Sequence, residues 1–222
     1  MKNIDIWIAS FKKLSFLASK ISCLSDKERQ QADQFHFIKD KVHYELSHIF
    51  LRQILHNYYA HISPSEWKFS LTKYGKPYII NKLNYPINFT LSKSKSMVVL
   101  AFSTKYDIGI DIEQVTKLPT IIDFYNLVYT SQEQKLLYDD HDKKETFYHL
   151  WTLKEAYLKA LGIGFYHNPL DINLSDIAMK LRSVKSFYKT PNYYYSDTID
   201  NNVLSLVVLN STSKIKINFK NF

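Results

Sequence analysis

Two carboxylates on a predicted strand and a third on a predicted helix are the side chains of this sequence that point most directly to chemistry. Residues 108–113 read Ile-Gly-Ile-Asp-Ile-Glu, and alternation along a strand places Asp111 and Glu113 on one face, about 7 Å apart. The two acids repel unless a cation lies between them, although solvated acids on an outer sheet face would give the same pattern. If both face Glu155, three oxygen ligands gather without cysteine or histidine. That ligand set favours Mg²⁺ over zinc and implies a substrate that carries phosphate.

Two lysines accompany Glu155 on the predicted helix 144–161, whose apolar residues recur at helical spacing. Lys154 falls within the apolar stripe, where a lone ammonium is costly to bury, so the pattern predicts an anion beside it. Lys159 lies one turn after Glu155. The same spacing is met by a surface Glu155–Lys159 pair with Lys154 reaching outward to solvent. In the functional interpretation, the cations around the phosphate are Lys154, Lys159, Lys76 and Lys93.

Two further features favour a ligand without requiring one. Residues 92–96 read Ser-Lys-Ser-Lys-Ser, which is typical either of an exposed hairpin loop or of an anion-binding turn. Gly109 shares the strand face of Asp111 and Glu113, and a glycine there leaves room for the close approach of a ligand.

Composition limits the setting and the partners. The 222 residues include 29 Lys and Arg against 21 Asp and Glu, a net charge of +8 that attracts phosphorylated molecules, polyanions or an acidic protein. The single cysteine, Cys23, excludes an intramolecular disulfide and a multi-cysteine zinc site, and favours a reducing compartment. Because Asp5, Lys12 and Lys13 interrupt the first apolar run, we expect no signal peptide, no membrane span and a cytoplasmic location.

The elements that must position these residues predict an α+β fold. Two similar lobes, residues 1–105 and 106–222, are expected to join near Thr104–Asp107. Predicted helices cover residues 27–37, 40–61, 121–128, 131–138 and 144–161. Predicted strands cover residues 4–8, 67–71, 87–91, 97–102 and 108–113, and after Pro169 an antiparallel meander follows at residues 172–174, 181–188, 193–195, 203–209 and 215–219.

Four motifs, in order, resemble those of the 4′-phosphopantetheinyl transferases of the larger, surfactin-synthetase-activating subtype. Residues 108–113 together with residues 147–159, Phe-Tyr-His-Leu-Trp-Thr-Leu-Lys-Glu-Ala-Tyr-Leu-Lys, resemble the paired signature of the family. The upstream motifs are matched by residues 74–77, Tyr-Gly-Lys-Pro, and residues 88–92, Asn-Phe-Thr-Leu-Ser. The resemblance covers most of residues 25–165.

This resemblance implies a pseudo-twofold α+β monomer whose active site lies in the cleft between the lobes. It implies transfer of the phosphopantetheine arm of coenzyme A to a serine of an apo acyl or peptidyl carrier protein, releasing adenosine 3′,5′-bisphosphate. The implied metal is Mg²⁺, with Mn²⁺ as the alternative, and its ligands fall at Asp111, Glu113 and Glu155. The implied catalytic residues are Glu155, Lys154 and Asp111. The implied substrate contacts are Lys27, His43, Tyr74, Gly75, Lys76, Pro77, Ser92, Lys93, Lys154 and Lys159.

The sequence departs from the family pattern at two positions. Lys93 stands where a histidine is common, which keeps a cation but loses its sensitivity to pH. His43 and Tyr44 stand near the position of an arginine that is usual for the 3′-phosphate, and Lys27 and Lys41 are available to compensate. These departures motivate one alternative, a member that binds coenzyme A or a carrier protein without turnover. The net charge and abundant aromatics motivate another, a nucleic-acid-binding module, but the basic residues are dispersed and no nucleic acid is expected.

Overall fold

The computed structural model describes residues 3–116, 122–211 and 215–222, and it holds two four-stranded sheets, each packed on one long helix. The strands are β1 Asn3–Ser10, β2 Phe69–Leu71, β3 Pro77–Ile79, β4 Asn88–Lys93, β5 Met97–Ser103, β6 Ile108–Gln114, β7 Ser186–Lys189, β8 Asn192–Ile199, β9 Asn202–Val208 and β10 Lys216–Asn221. The helices are α1 Phe11–Leu14, α2 Asp26–Asp33, α3 Ile38–Tyr58, α4 Ile122–Val128, α5 Ser131–Asp139, α6 Lys143–Leu161 and α7 Ser175–Leu181. Short 3₁₀ segments occupy Ser15–Cys23, Pro64–Glu66, Gly164–Tyr166 and Pro169–Asp171. Within these ranges, the helices are too short or too polar to cross a bilayer.

The two sheets define two lobes, which confirms the α+β prediction. The first sheet has the order β10-β1-β5-β4, and the second has the order β6-β9-β8-β7. Neighbouring strands pair antiparallel except β10, which runs parallel to β1. The division at residues 105 and 106 stays a prediction. The last strand, β10, was expected in the meander of the C-terminal lobe, but it lies in the first sheet beside β1.

Three hydrophobic clusters hold the sheets and helices together. One fills the space between α3 and the first sheet, and a second fills the space between α6 and the second sheet. The third joins the remaining faces of both sheets, with Ile4, Ile6 and Ile8 of β1 packed with the isoleucines of β6. The three isoleucines at alternate positions of β6 therefore face the junction of the lobes, while Gly109, Asp111 and Glu113 face α6.

The two long helices follow from local sequence signals. In α3, apolar residues such as Leu46, Ile49 and Phe50 recur at helical spacing and are buried against the first sheet. Helix α6 begins where Asp142 accepts a hydrogen bond from Glu145 N and ends at Gly162, which takes the left-handed conformation at φ +72°. The predictions at residues 40–61 and 144–161 are confirmed to within three residues. The predicted helix 121–128 begins at Ile122 in the structure, and residue 121 lies outside the described ranges.

The prediction of strands between residues 172 and 188 is wrong for most of that stretch. A 3₁₀ turn occupies Pro169–Asp171 and α7 occupies Ser175–Leu181. Of the two predicted strands, 172–174 and 181–188, only residues 186–188 are in a strand, as part of β7. The side chain of Asn173 accepts a hydrogen bond from Ser175 N at the start of the helix, 3.0 Å away. Ile177, Ala178 and Leu181 then bury one face of α7, and this spacing outweighs the short alternation of Ile172 and Leu174.

Candidate active site

Asp111 and Lys159 of the second lobe meet Ser92 of the first lobe at one polar centre. Lys159 Nζ on α6 donates to Asp111 Oδ1 at 2.6 Å and to Ser92 Oγ at 3.0 Å. Ser92 Oγ on β4 donates to the same Asp111 oxygen at 2.7 Å. Asp111 is only 3% exposed, so it is not a solvated acid on an outer face. The centre therefore joins residues from three of the four sequence motifs at the contact between the sheets.

Asp111 also offers an oxygen that the described part of the chain leaves unused. Its Oδ2 atom is buried and has no hydrogen-bond partner among the described residues. An unpaired carboxylate oxygen in a buried position is costly unless a cation or a donor reaches it. This oxygen is thus a suitable ligand for a hard divalent cation.

Glu113 and Glu155 lie close enough to Asp111 for their charges to interact. Burial raises the pKa of Glu113 to about 7, with the Asp111 carboxylate adding to the shift and a hydrogen bond from Trp151 opposing it. Burial likewise raises the pKa of Glu155 to about 7, helped by Asp111 and Glu113 and opposed by Lys159. Among the described residues, however, no three acidic, histidine or cysteine side chains converge as a finished metal site. Instead, Asp111 accepts a hydrogen bond from Lys159 through one oxygen, and Glu113 accepts one from Trp151.

Gly109 is required by the helix that carries Glu155 and Lys159, not by a ligand. A Cβ atom at Gly109 would lie 1.9 Å from the backbone oxygen of Ala156 and 2.4 Å from the backbone nitrogen of Ala160. The sequence-based interpretation of Gly109 as room for a ligand is therefore wrong. Its missing side chain lets α6 approach β6 closely, and that approach sets the distance between the strand acids and the helix residues.

Lys154 lies away from this centre and has a structural role. Its Nζ donates to Glu133 Oε2 at 2.6 Å, to the carbonyl of Val128 at 2.8 Å and to the carbonyl of Pro169 at 3.1 Å. Lys154 is 1% exposed, so it does not reach outward to solvent. The prediction of an anion beside it is correct and the anion is Glu133. Because all three ammonium hydrogens are taken, the assignment of Lys154 as a catalytic and phosphate-binding residue is wrong.

A cavity of about 450 Å³ opens between the lobes and is lined by the predicted coenzyme A turn. Tyr74, Lys76 and Pro77 line it from the first lobe, and Ala160 to Ile163 at the end of α6 line it from the second. Gly75 takes a left-handed conformation, φ +86°, in the same turn. Lys76 Nζ donates to the carbonyls of Ala160, at 3.2 Å, and Ile108, at 3.4 Å. Burial lowers the pKa of Lys76, and the charge of Asp107 opposes that effect.

The predicted substrate contacts not yet described are Lys93, His43 and Lys27. Lys93 is half-buried at the end of β4, and the ring of His43 stacks on that of Phe11 with centroids 3.7 Å apart. Burial lowers the pKa of His43, as do the charges of Lys39 and Lys93. Lys27 is exposed on α2 and, within the described residues, makes no contact with the centre formed by Asp111.

Sequence reasoning missed two groups of residues that support the site. Glu133, which holds Lys154, belongs to a capping box with Thr130, and the Thr-x-x-Glu spacing was a signal visible in the sequence. Phe35 and Tyr44 flank the ammonium of Lys93, and nothing in their local sequence indicates that contact.

Comparisons with known proteins agree with the resemblance in the sequence. The model of the 4′-phosphopantetheinyl transferase superfamily matches residues 107–207, and the model of the 4′-phosphopantetheinyl transferase N-terminal region matches residues 6–105. A solved holo-[acyl-carrier-protein] synthase of Thermotoga maritima aligns with 48% of this chain and 65% of its own, at 20% identity and a TM-score of 0.36, which is too low to support an argument.

Three curated relatives are similar over much of the chain. The L-aminoadipate-semialdehyde dehydrogenase-phosphopantetheinyl transferase of Schizosaccharomyces pombe is 34% identical over 74% of this chain. The 4′-phosphopantetheinyl transferases HetI of Nostoc sp. and Sfp of Bacillus subtilis are each 30% identical over 68% of this chain. The matches span 65%, 64% and 65% of these relatives' own lengths, slightly under two thirds in each case.

Proposed function

Because the chain belongs to the 4′-phosphopantetheinyl transferase superfamily, of the Sfp type, we propose that it transfers the phosphopantetheine arm of coenzyme A to a carrier protein. The acceptor is a serine of an apo acyl or peptidyl carrier protein, which docks on the enzyme as a partner. The observation that carries the proposal is the contact of Lys159 and Ser92 with Asp111, since it unites residues of three motifs in a partly buried centre beside an interlobe cavity.

A divalent cation fits the acids of this centre. Asp111, with its unpartnered buried oxygen, would hold it together with Glu113 and Glu155, and hard oxygen ligands favour Mg²⁺ or Mn²⁺. When bound, such an ion supplies positive charge to phosphate oxygens. The pKa values of Glu113 and Glu155 are raised, as expected where three neighbouring carboxylates have too little positive charge around them.

The group transfer needs little covalent chemistry from the protein. The serine oxygen of the carrier attacks the β-phosphorus of coenzyme A, and the bond from that phosphorus to the bridging oxygen breaks. Adenosine 3′,5′-bisphosphate leaves with the electron pair. Glu155, a carboxylate beside Asp111 and Glu113, is the residue we assign to accept the serine proton. Lys159 offers positive charge where the leaving oxygen becomes negative.

The cavity and its rim are the proposed coenzyme A site. The turn formed by Tyr74, Gly75, Lys76 and Pro77 contributes backbone and aromatic surface, and Lys76 contributes charge. Lys93, the residue after Ser92, is a further cation for the phosphates, and the imidazole of His43 is a further candidate contact. A cytoplasmic, monomeric protein without a nucleic-acid partner remains our expectation.

The direct test combines the protein with coenzyme A, Mg²⁺ and a panel of apo carrier proteins, and measures the intact mass of each carrier. We expect at least one carrier to gain the mass of the phosphopantetheine arm, and EDTA to stop the reaction. Glu155→Gln is expected to slow transfer by orders of magnitude. Glu145→Gln is the matched control, because Glu145 is an exposed acid on the same helix.

The outcome separates the alternatives. Transfer by Glu155→Gln at the rate of the unchanged protein would overturn the assignment of the acids. Tight binding of coenzyme A without a mass gain on any carrier would favour a family member that binds without turnover.

A further inference from the structure

The ammonium group of Lys93 is held by aromatic rings instead of by a carboxylate. Its Nζ lies 5.4 Å from the ring centroid of Phe35 and 5.8 Å from that of Tyr44, within the range of a cation–π contact. In the described part of the chain it forms no ion pair. Burial lowers the pKa of Lys93 and the charge of Asp40 opposes that effect. The aromatic faces attract the ammonium without neutralising it, so its positive charge is available to another anion.

The ring of Tyr44 is supported from behind, and the ring of Phe35 contacts it. They touch each other at 5.4 Å although Phe35 follows α2 and Tyr44 belongs to α3. The ring of Tyr44 stacks at 4.1 Å on that of His48, whose Nδ1 lies 3.0 Å from Glu28 Oε1.

A buried ion pair anchors this stack to the core of the first lobe. Arg52 donates to Glu28 through Nη2 at 2.6 Å and through Nε at 3.3 Å. Burial raises the pKa of Glu28, but hydrogen bonds with His48, Arg52 and Ser25 outweigh it and lower the pKa to about 2. The carboxylate thus stays charged and holds His48, which supports the ring of Tyr44. The ring of Tyr44 therefore has little freedom to move away from Lys93.

The surroundings of Lys93 are short of negative charge. Lys39 and Lys93 both repel the charged form of His43, and the one acid that acts on Lys93 from nearby is Asp40, which forms no ion pair with it in the described ranges. Ser92, the next residue, already touches the Asp111 centre. A cation one residue beyond Ser92, held by aromatic rings and with no ion pair among the described residues, is suited to a phosphate of the substrate.

We propose that Phe35 and Tyr44 are positioning residues that hold the ammonium of Lys93 for a phosphate group of coenzyme A. The inference rests on the proposed function, because the phosphate belongs to the substrate assigned there. It goes further by giving two aromatic residues a role in substrate affinity that does not involve touching the reacting atoms.

The test compares coenzyme A affinity in single variants by calorimetry, with steady-state kinetics alongside. Phe35→Leu and Tyr44→Leu are each expected to raise the Kd, and the KM for coenzyme A, about fivefold to tenfold with kcat nearly unchanged. Phe35→Tyr and Tyr44→Phe keep a ring and are expected to bind as the unchanged protein does. Phe16→Leu is the matched control, since its ring is 62% exposed and contacts Phe222 instead.

A double-substitution cycle decides whether the rings act through Lys93. In a Lys93→Ala background, Phe35→Leu is expected to cause no further loss of affinity. Equal losses in both backgrounds, or an unchanged Kd in the single variants, would overturn the inference. Thermal unfolding identifies a variant that fails to fold, and the other ring then supplies the same comparison. Transfer by the unchanged protein with normal affinity in the ring variants would overturn this inference alone, whereas absence of transfer would overturn the proposed function.

Discussion

For Lys154, the cost of burying an ammonium correctly predicted an anion beside it, but the catalytic role assigned from the sequence is wrong. A buried ammonium needs an anion, and the structure supplies Glu133, which is itself fully buried. The other oxygen of Glu133 accepts a hydrogen bond from Leu174 N at 2.9 Å. The pair therefore ties α5, α6 and the segment before α7 together. The spacing of Thr130 and Glu133 indicates a helix start, but because Glu133 and Lys154 are 21 positions apart, no local pattern predicts that they pair.

Removing the ammonium of Lys154 is expected to destabilise the fold. Lys154→Met leaves the Glu133 carboxylate buried and unpaired, so the free energy of unfolding should fall by about 3–5 kcal/mol. Urea unfolding followed by circular dichroism measures the change. Lys185→Met is the control: its partner Asp197 lies at 2.6 Å, but its side chain is 72% exposed, so the cost should stay within about 1 kcal/mol.

A companion substitution distinguishes a structural Lys154 from a catalytic one. Adding Glu133→Leu to Lys154→Met removes the unpaired carboxylate, and part of the lost stability should return. Normal stability together with lost transfer in Lys154→Met would contradict the structural assignment and return Lys154 to the catalytic centre.

At the scale of elements, the contact of β6 with α6 sets the geometry of the site. Gly109→Ala would drive a methyl group into the backbone of α6 at Ala156 and Ala160, and neither atom belongs to a flexible side chain. We expect a loss of about 2 kcal/mol or more in the free energy of unfolding and a large loss of transfer in the fraction that stays folded. Urea unfolding and the carrier mass assay measure the two effects.

Gly164→Ala is the matched control for this substitution. Gly164 has a positive φ of +51° and open space around its Cβ position, so alanine there should cost only about 1–2 kcal/mol of backbone strain. Transfer should survive in Gly164→Ala. If Gly109→Ala kept both stability and transfer, the close approach of helix and strand would not be what positions Glu155 and Lys159.

Elements with long or strongly patterned sequences were predictable, and short ones were not. Helix α6 carries periodic apolar residues, a capping aspartate and a terminal glycine, and β6 carries three alternating isoleucines. Helix α7 has only seven residues, and its neighbours Ile172 and Leu174 imitate a strand. The parallel pairing of β10 with β1 joins residues more than 200 positions apart, which no local pattern reports.

At the scale of the whole molecule, two connections besides the site join the lobes. Ile4 and Ile6 of the first sheet and Ile108 and Ile110 of the second belong to one buried cluster. Strand β10 adds a second connection, because its chain leaves the second lobe and pairs with β1, where Asp5 accepts hydrogen bonds from Asn218 and Lys220. Separating the lobes would expose this apolar surface to water, and we therefore expect them to unfold as one cooperative unit.

Hydrogen exchange tests this cooperativity with one small substitution in each lobe. Ile54→Val in the first lobe and Ile177→Val in the second each remove one buried methyl group, which costs about 0.5–1.5 kcal/mol. For a single unit, Ile54→Val should speed exchange of the slowest amides of α6 by the same several-fold factor as those of α3, because both exchange through global opening. Ile177→Val in the second lobe should likewise speed exchange of the slowest amides of α3 by the same factor as those of α6. Faster exchange confined to the substituted lobe would show that the lobes open independently, and the shared isoleucine cluster would then contribute little to holding the two halves of the site together.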